Sequence, residues 1–237
     1  LYCTRPEIME ETTNKREQIV ETLKTKSVLL QHIFDNTQQV FCQLKEILQE
    51  YAVEVNERLD GTTDKRIKME YRDRGKFEAQ LQMAGDILIF SMHTNVFQFE
   101  RGNVIWQNSY VKQDKQNAYC GVINIYNFLA DSFRYNRSAD EGYLVGRIFI
   151  NRDLQYMVEG KRQVTYRHDR FGQGAITPDA LTEIIENTMA YTLDFDLLVP
   201  PYDAVKLVTV DQMNTKIENS KLQTGKRMGY QFRSDDV

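Results

Sequence analysis

The chain has 237 residues, 41% hydrophobic and 27% charged, which is enough apolar material for one sizeable core or two modest ones and too much for a disordered chain. Thirty Lys and Arg against 34 Asp and Glu give a formal charge of -4, so composition alone gives no ground for a nucleic-acid coat or a basic membrane-surface protein. Three cysteines, Cys3, Cys42 and Cys120, are too few and too far apart for a disulfide framework or a Cys-x-x-Cys metal knuckle, which points to a reducing, cytoplasmic setting.

No run approaches the roughly eighteen apolar residues of a membrane span, and no basic-then-apolar leader opens the chain. The first residue is Leu1, not Met, so an upstream segment is expected to have preceded it. Between Pro6 and Leu59 there is neither glycine nor a second proline, and apolar residues recur at helical spacing. With Val20 at position a, the a positions are Val20, Ser27, Phe34, Phe41, Leu48 and Val55, and the d positions are Leu23, Leu30, Thr37, Leu44 and Tyr51. Ile19, Ile33, Val40 and Ile47 widen the stripe beyond what a two-stranded coiled coil needs. Three arrangements satisfy it: a helical layer covering a sheet, a helical hairpin packed on the adjoining domain, or a long helix that both dimerises and docks. A break is expected at Asn36 and Thr37, where the stripe weakens.

The cluster Asp60-Gly61-Thr62-Thr63-Asp64 marks a boundary. It divides a helical segment (1–60) from an α+β domain (61–211), with a polar tail at 212–237. Beyond it the period falls to two: Phe77, Ala79, Leu81 and Met83 alternate with polar residues, and a turn at Ala84-Gly85-Asp86 leads into 87–92. With 96–99 and the run 104–111 this predicts an antiparallel meander of three to five strands, followed by a polar loop at 112–117. Residues 120–133 fit either element, and Val122, Ile125, Phe128, Leu129 and Phe133 favour a helix. A hairpin is predicted from 143–150 and 154–158, turning at Asn151-Arg152-Asp153. Thr177 as N-cap and Pro178 at the first position start a second helix, with Leu181, Ile184, Ile185, Met189 and Leu193 on one face. Pro200-Pro201 ends it, and 204–210 reads as a last strand. The fold class is α+β: a long N-terminal helical segment with a mostly antiparallel sheet and two further helices.

The most polarised stretch is 147–171, where six bases against Asp153, Glu159 and Asp169 leave +3. Arginine interleaved with aromatics grips phosphate and stacks rings, so Arg147, Arg152, Lys161, Arg162, Tyr166, Arg167, His168 and Arg170 form the candidate ligand-binding set. The competing reading is internal pairing, with the hairpin's own acids and with 179–211, where seven acids face the single base Lys206. Asp153 and Glu159 are six residues apart along a strand, about 20 Å, too far to share a metal ion. Asp194-Phe195-Asp196 could present two carboxylates to a divalent ion. His32, His93 and His168 have no ligating neighbour at short spacing, and His93 with Cys120 is the one candidate for a thiol and its base. There is no G-x-S-x-G elbow, phosphate loop or dinucleotide fingerprint, and no metal or other cofactor is expected.

These features predict a non-enzymatic interaction or regulatory module. It would self-associate as a homo-oligomer, or dock on a protein partner, through its N-terminal helices. At the basic, aromatic hairpin it would take an anionic ligand, such as a phosphorylated small molecule or nucleic acid, or an acidic partner. The alternative is a metal-dependent hydrolase or nuclease using dispersed carboxylates such as Asp194 and Asp196.

Overall fold

Without glycine or proline to interrupt it, the N-terminal segment winds into Glu7–Thr22 (α1), a π-helical turn at Leu23–Ser27 and Val28–Leu59 (α2), the junction residues Thr22 and Val28 both keeping right-handed helical backbone angles. This computed structural model describes residues 7–59, 64, 67–138, 140–165, 171, 172, 174–195 and 201–215. At the π turn, the hydroxyls of Thr22 and Thr25 donate to the carbonyls of Gln18 and Glu21, a back-bonding that loosens the ladder. α2 buries Ile33, Asn36, Thr37, Val40, Phe41, Leu44, Leu48 and Ala52, one face at three- and four-residue spacing. The expected break at Asn36 and Thr37 does not occur. Both are buried inside α2 with their hydrogen bonds made. Asn36 Nδ2 donates to the carbonyls of Asn151 and Arg152 (3.3 and 2.8 Å), and Thr37 Oγ1 donates to Ile33 O (2.7 Å).

Among the described residues, seven strands form one antiparallel sheet: Met69–Asp73 (β1), Glu78–Met83 (β2), Asp86–Met92 (β3), Phe97–Gln98 (β4), Tyr119–Leu129 (β5), Tyr143–Ile150 (β6) and Tyr156–Gly160 (β7). The order is β1-β2-β3-β5-β6-β7, with β4 paired to the start of β5. The segment 120–133 is therefore mainly strand, running into a short helix only at its end, and the expectation of a helix is overturned. β5 lies between β3 and β6 and carries buried side chains on both faces, so its sequence is nearly continuous in apolar residues and mimics a helical pattern.

The run 104–111 is not a strand either. It forms a 3-10 turn at Val104–Gln107 and the helix Ser109–Gln113 (α3), and the asparagines before each act as caps: Asn103 Oδ1 accepts from Ile105 N and Asn108 Oδ1 from Tyr110 N, both at 2.9 Å. The polar loop after α3 contains a further 3-10 turn, Lys115–Ala118. Ala130–Arg134 (α4) and Arg162–Thr165 (α5) are short, and Pro178–Leu193 (α6) starts as its sequence predicts, with Thr177 Oγ1 accepting from Ala180 N (3.2 Å). In place of the last strand expected at 204–210 stand Tyr202–Val205 (α7), an irregular stretch at 207–209, and helical backbone from 210 to 215. Leu207, Val208 and Val210 are exposed there, so no sheet neighbour supplies the burial a strand would need. The rest of the tail lies outside the described residues.

α2 and α6 cover one face of the sheet in a single core with Leu81, Phe90, Ile123, Ile125, Ile148, Ile150 and Val158. Closest approach is at Gly121 of β5, where a Cβ would come to 2.1 Å from Thr37 Oγ1, so only glycine lets α2 cross there. A smaller cluster, Ile105, Val111, Ala118, Cys120, Val122, Phe149 and Phe171, covers part of the opposite face.

Candidate functional site

On that opposite face an open groove of about 1840 Å³ runs beside the smaller cluster. Its floor is set by strand register. Val122, Phe149 and Met157 stand in one cross-strand row, and the next row is Asn124, Arg147 and Glu159. The first row is buried or half-buried with Phe99, Phe171 and Ile105; the second, with Tyr126 and Leu144, opens into the groove. The wall is built by the excursion 97–110 and by Phe171 and Gly172.

The wall is braced from behind. Asn108 Nδ2 donates to Phe171 O (2.8 Å), and Gln155 Oε1 accepts from Gly172 N (2.7 Å). Tyr110 donates its hydroxyl proton to Asp153 Oδ2 and accepts from Asn151 Nδ2 (3.0 Å). Burial, followed by that bond to Asp153, pushes the Tyr110 phenol up to about 12. Arg152 Nη2 donates to Asp114 Oδ2 (2.7 Å), and its Nη1 donates to Gln116 Oε1 (3.0 Å). The bond from Gln116 N, then the one from Arg152, hold the Asp114 carboxyl below its ordinary range. Through Asn36, α2 grips the same turn, so the long helix, the β6–β7 turn and the groove wall form one hydrogen-bonded unit.

Within the groove, Arg147 donates from Nε (2.8 Å) and Nη2 to the same oxygen, Glu159 Oε2, and its guanidinium lies over the Phe149 ring at 5.3 Å. Asn124 is half-buried, and its amide makes no hydrogen bond among the described residues. His93 Nδ1 accepts from Asn95 N (3.0 Å), which leaves the ring proton on Nε2, and the ring stands edge-on to Phe97 at 4.6 Å.

Of the residues the sequence singled out, Arg147 is in the groove and Arg152 is behind its wall, each already matched by a carboxylate. That pairing is the internal neutralisation weighed against an anionic site. Lys161 and Arg162 are exposed beyond the end of β7 and do not line the groove. Tyr166, Arg167, His168 and Arg170 lie outside the described residues. Cys120 and His93 both line the groove, but burial raises the Cys120 thiol to about 12, so it is protonated near neutral pH and unsuited to attack. Asp194 is an exposed residue at the end of α6, and Asp196 lies outside the described residues. Among the described residues no group of three or more His, Cys, Asp or Glu is placed to hold a metal ion, and no helix is long and apolar enough to cross a membrane. Sequence reasoning missed Asn124, Phe97 and Asn108, and singled out His93 only as a partner for Cys120. The alternation Val122-Ile123-Asn124-Ile125-Tyr126, read as strand, places Asn124 on the face opposite the two isoleucines.

Comparison with family models, curated proteins and solved structures gives no match.

Proposed function

We propose that this chain is a non-enzymatic interaction module that self-associates through the outer part of its N-terminal helix. One observation carries the reading: from Asn14 to Val28 every side chain is exposed, including Ile19 (59%), Val20, Leu23 (57%) and Val28 (61%). Ile19, Val20 and Leu23 stand at three- and four-residue spacing, and the i→i+5 step of the π turn keeps Val28 near the same line. Fully burying each such side chain is worth about 1.5–3 kcal/mol, and a row of them on a projecting helix is a surface for a partner.

A second copy of the chain suits this surface best. The sequence puts Glu7, Glu10 and Glu11 at the start of the segment and Lys24 and Lys26 at its end, with Lys15, Arg16, Glu17 and Glu21 between them, so antiparallel pairing would set opposite charges together at the two ends while parallel pairing would oppose like ones there. Size exclusion with light scattering tests it: the chain should run as a dimer, and Val20→Glu with Leu23→Glu should give a monomer whose melting temperature differs little from that of the parent's monomeric fraction. A parent chain that stays monomeric at about 100 μM, well above the micromolar range of weak specific pairs, overturns the reading.

A further inference from the structure

We infer that the groove on the open face binds an uncharged, hydroxyl-rich ligand: an oligosaccharide segment laid across β5, β6 and β7. The site goes beyond self-association and uses a different face of the molecule.

Size points to an extended ligand. At about 1840 Å³ and open to solvent, the groove exceeds the roughly 300–1,000 Å³ of pockets that close around one small molecule. Among the described residues, the charged side chains lining it are Glu100, Arg147 and Glu159, and the Arg147 guanidinium is already held by a carboxylate, which leaves no free cation there for an anion. The floor sets the chemistry. Asn124, Arg147 and Glu159 stand side by side on adjacent strands, three polar heads across about 10 Å. Between them they offer the Asn124 amide, the guanidinium N–H groups not bonded to Glu159, and Glu159 Oε1. A hydroxyl donates and accepts at once, so neighbouring hydroxyls on one ring can satisfy a mixed row of this kind, whereas a purely accepting ligand leaves the carboxylate and the amide oxygen unmatched. Phe97 and Leu144, each 41% exposed, and Tyr126 give the C–H faces of a sugar ring an apolar surface to rest on.

A peptide fits less well. β5 and β6 are interior strands whose backbone groups are engaged in ladders on both sides, so an extended peptide over them would find no strand edge to pair with; β7, at the margin of the floor, is the edge strand.

The test is affinity electrophoresis of the intact chain through gels carrying a neutral α-glucan, β-glucan, mannan or xylan, with polygalacturonate as the anionic arm and a random-peptide array alongside. At least one neutral polymer should retard the chain. Titration with a short oligosaccharide of that polymer should show Asn124→Ala and Arg147→Ala each weakening binding by about tenfold or more, with melting temperatures close to the parent's. The monomeric Val20→Glu, Leu23→Glu chain should bind as the parent does, which separates this site from self-association. Retardation by none of the neutral polymers, by polygalacturonate alone, binding confined to the peptide array, or neutral-polymer binding unchanged by Asn124→Ala, overturns the proposal. If Arg147→Ala fails to fold, Asn124→Ala decides.

Discussion

The two faces of one sheet differ sharply although the same strands build both. Toward α2 and α6, β5 and β6 present Ile123, Ile125, Ile148 and Ile150, all fully buried; toward the groove the intervening residues are Val122, Asn124, Arg147 and Phe149. Successive side chains on a strand point to opposite faces, so a shift of one residue in register would exchange the core for the groove floor. The larger core therefore lies on the helix-covered face, and beyond the smaller cluster the other face carries polar groups that packing does not require.

That division can be broken deliberately. The largest loss is expected from Phe41→Ala, at a fully buried ring between α2 and the sheet: about 3–5 kcal/mol in denaturant titration. Phe97→Ala, on the groove wall, should change stability by no more than about 0.5 kcal/mol, and comparable losses at the two sites would erase the contrast. Gly121→Ala comes next. Its Cβ would meet Thr37 Oγ1 at 2.1 Å and Thr37 Cβ at 2.8 Å, and we expect a loss of about 2–3 kcal/mol, partly recovered with Thr37→Ala in a double-mutant cycle.

A smaller effect distinguishes the polar end of the covered face. Asp86, at the start of β3, has its carboxyl pushed up by burial, partly offset by a bond from Asn127. The folded chain then holds this proton more tightly than the unfolded chain, so Asp86 subtracts stability as pH rises through its folded value. Asp86→Asn should melt above the parent at pH 7, and the two should converge below the ordinary aspartate value of 3.8. A gap that persists at low pH would assign the effect to packing. A small change is likewise expected from Arg147→Ala, whose exposed ion pair with Glu159 is worth under about 1 kcal/mol to folding, so a binding defect in that variant reports on the groove itself.

Elements with local signatures were legible. The Thr177-Pro178 start of α6, the period-two alternation of β2, the turn at Asn151-Arg152-Asp153 and the helical character of the N-terminal stripe each depend on residues within a few positions of one another. The failures are equally physical. β5 misled because a central strand is apolar on both faces, and 104–111 misled because its capping asparagines, Asn103 and Asn108, sit among residues that also suit a strand. Asn36 and Thr37 read as a flaw in the stripe, yet they are the points where α2 grips the β6–β7 turn and passes over Gly121.

The candidate site was legible only in part. The basic, aromatic character of the hairpin is plain from 147 onward, but sequence could not show that Arg147 is matched by Glu159 and Arg152 by Asp114, nor that Asn124 and Arg147 share a row. Composition, helical periodicity, caps and the α+β class were set by the sequence itself, because short-range sterics and hydrogen bonding decide them. Which half of the helical stripe is buried, which face of β5 is open and which charges cancel were decided by the tertiary structure, because each depends on partners dozens of residues away that meet only once the strands are in register.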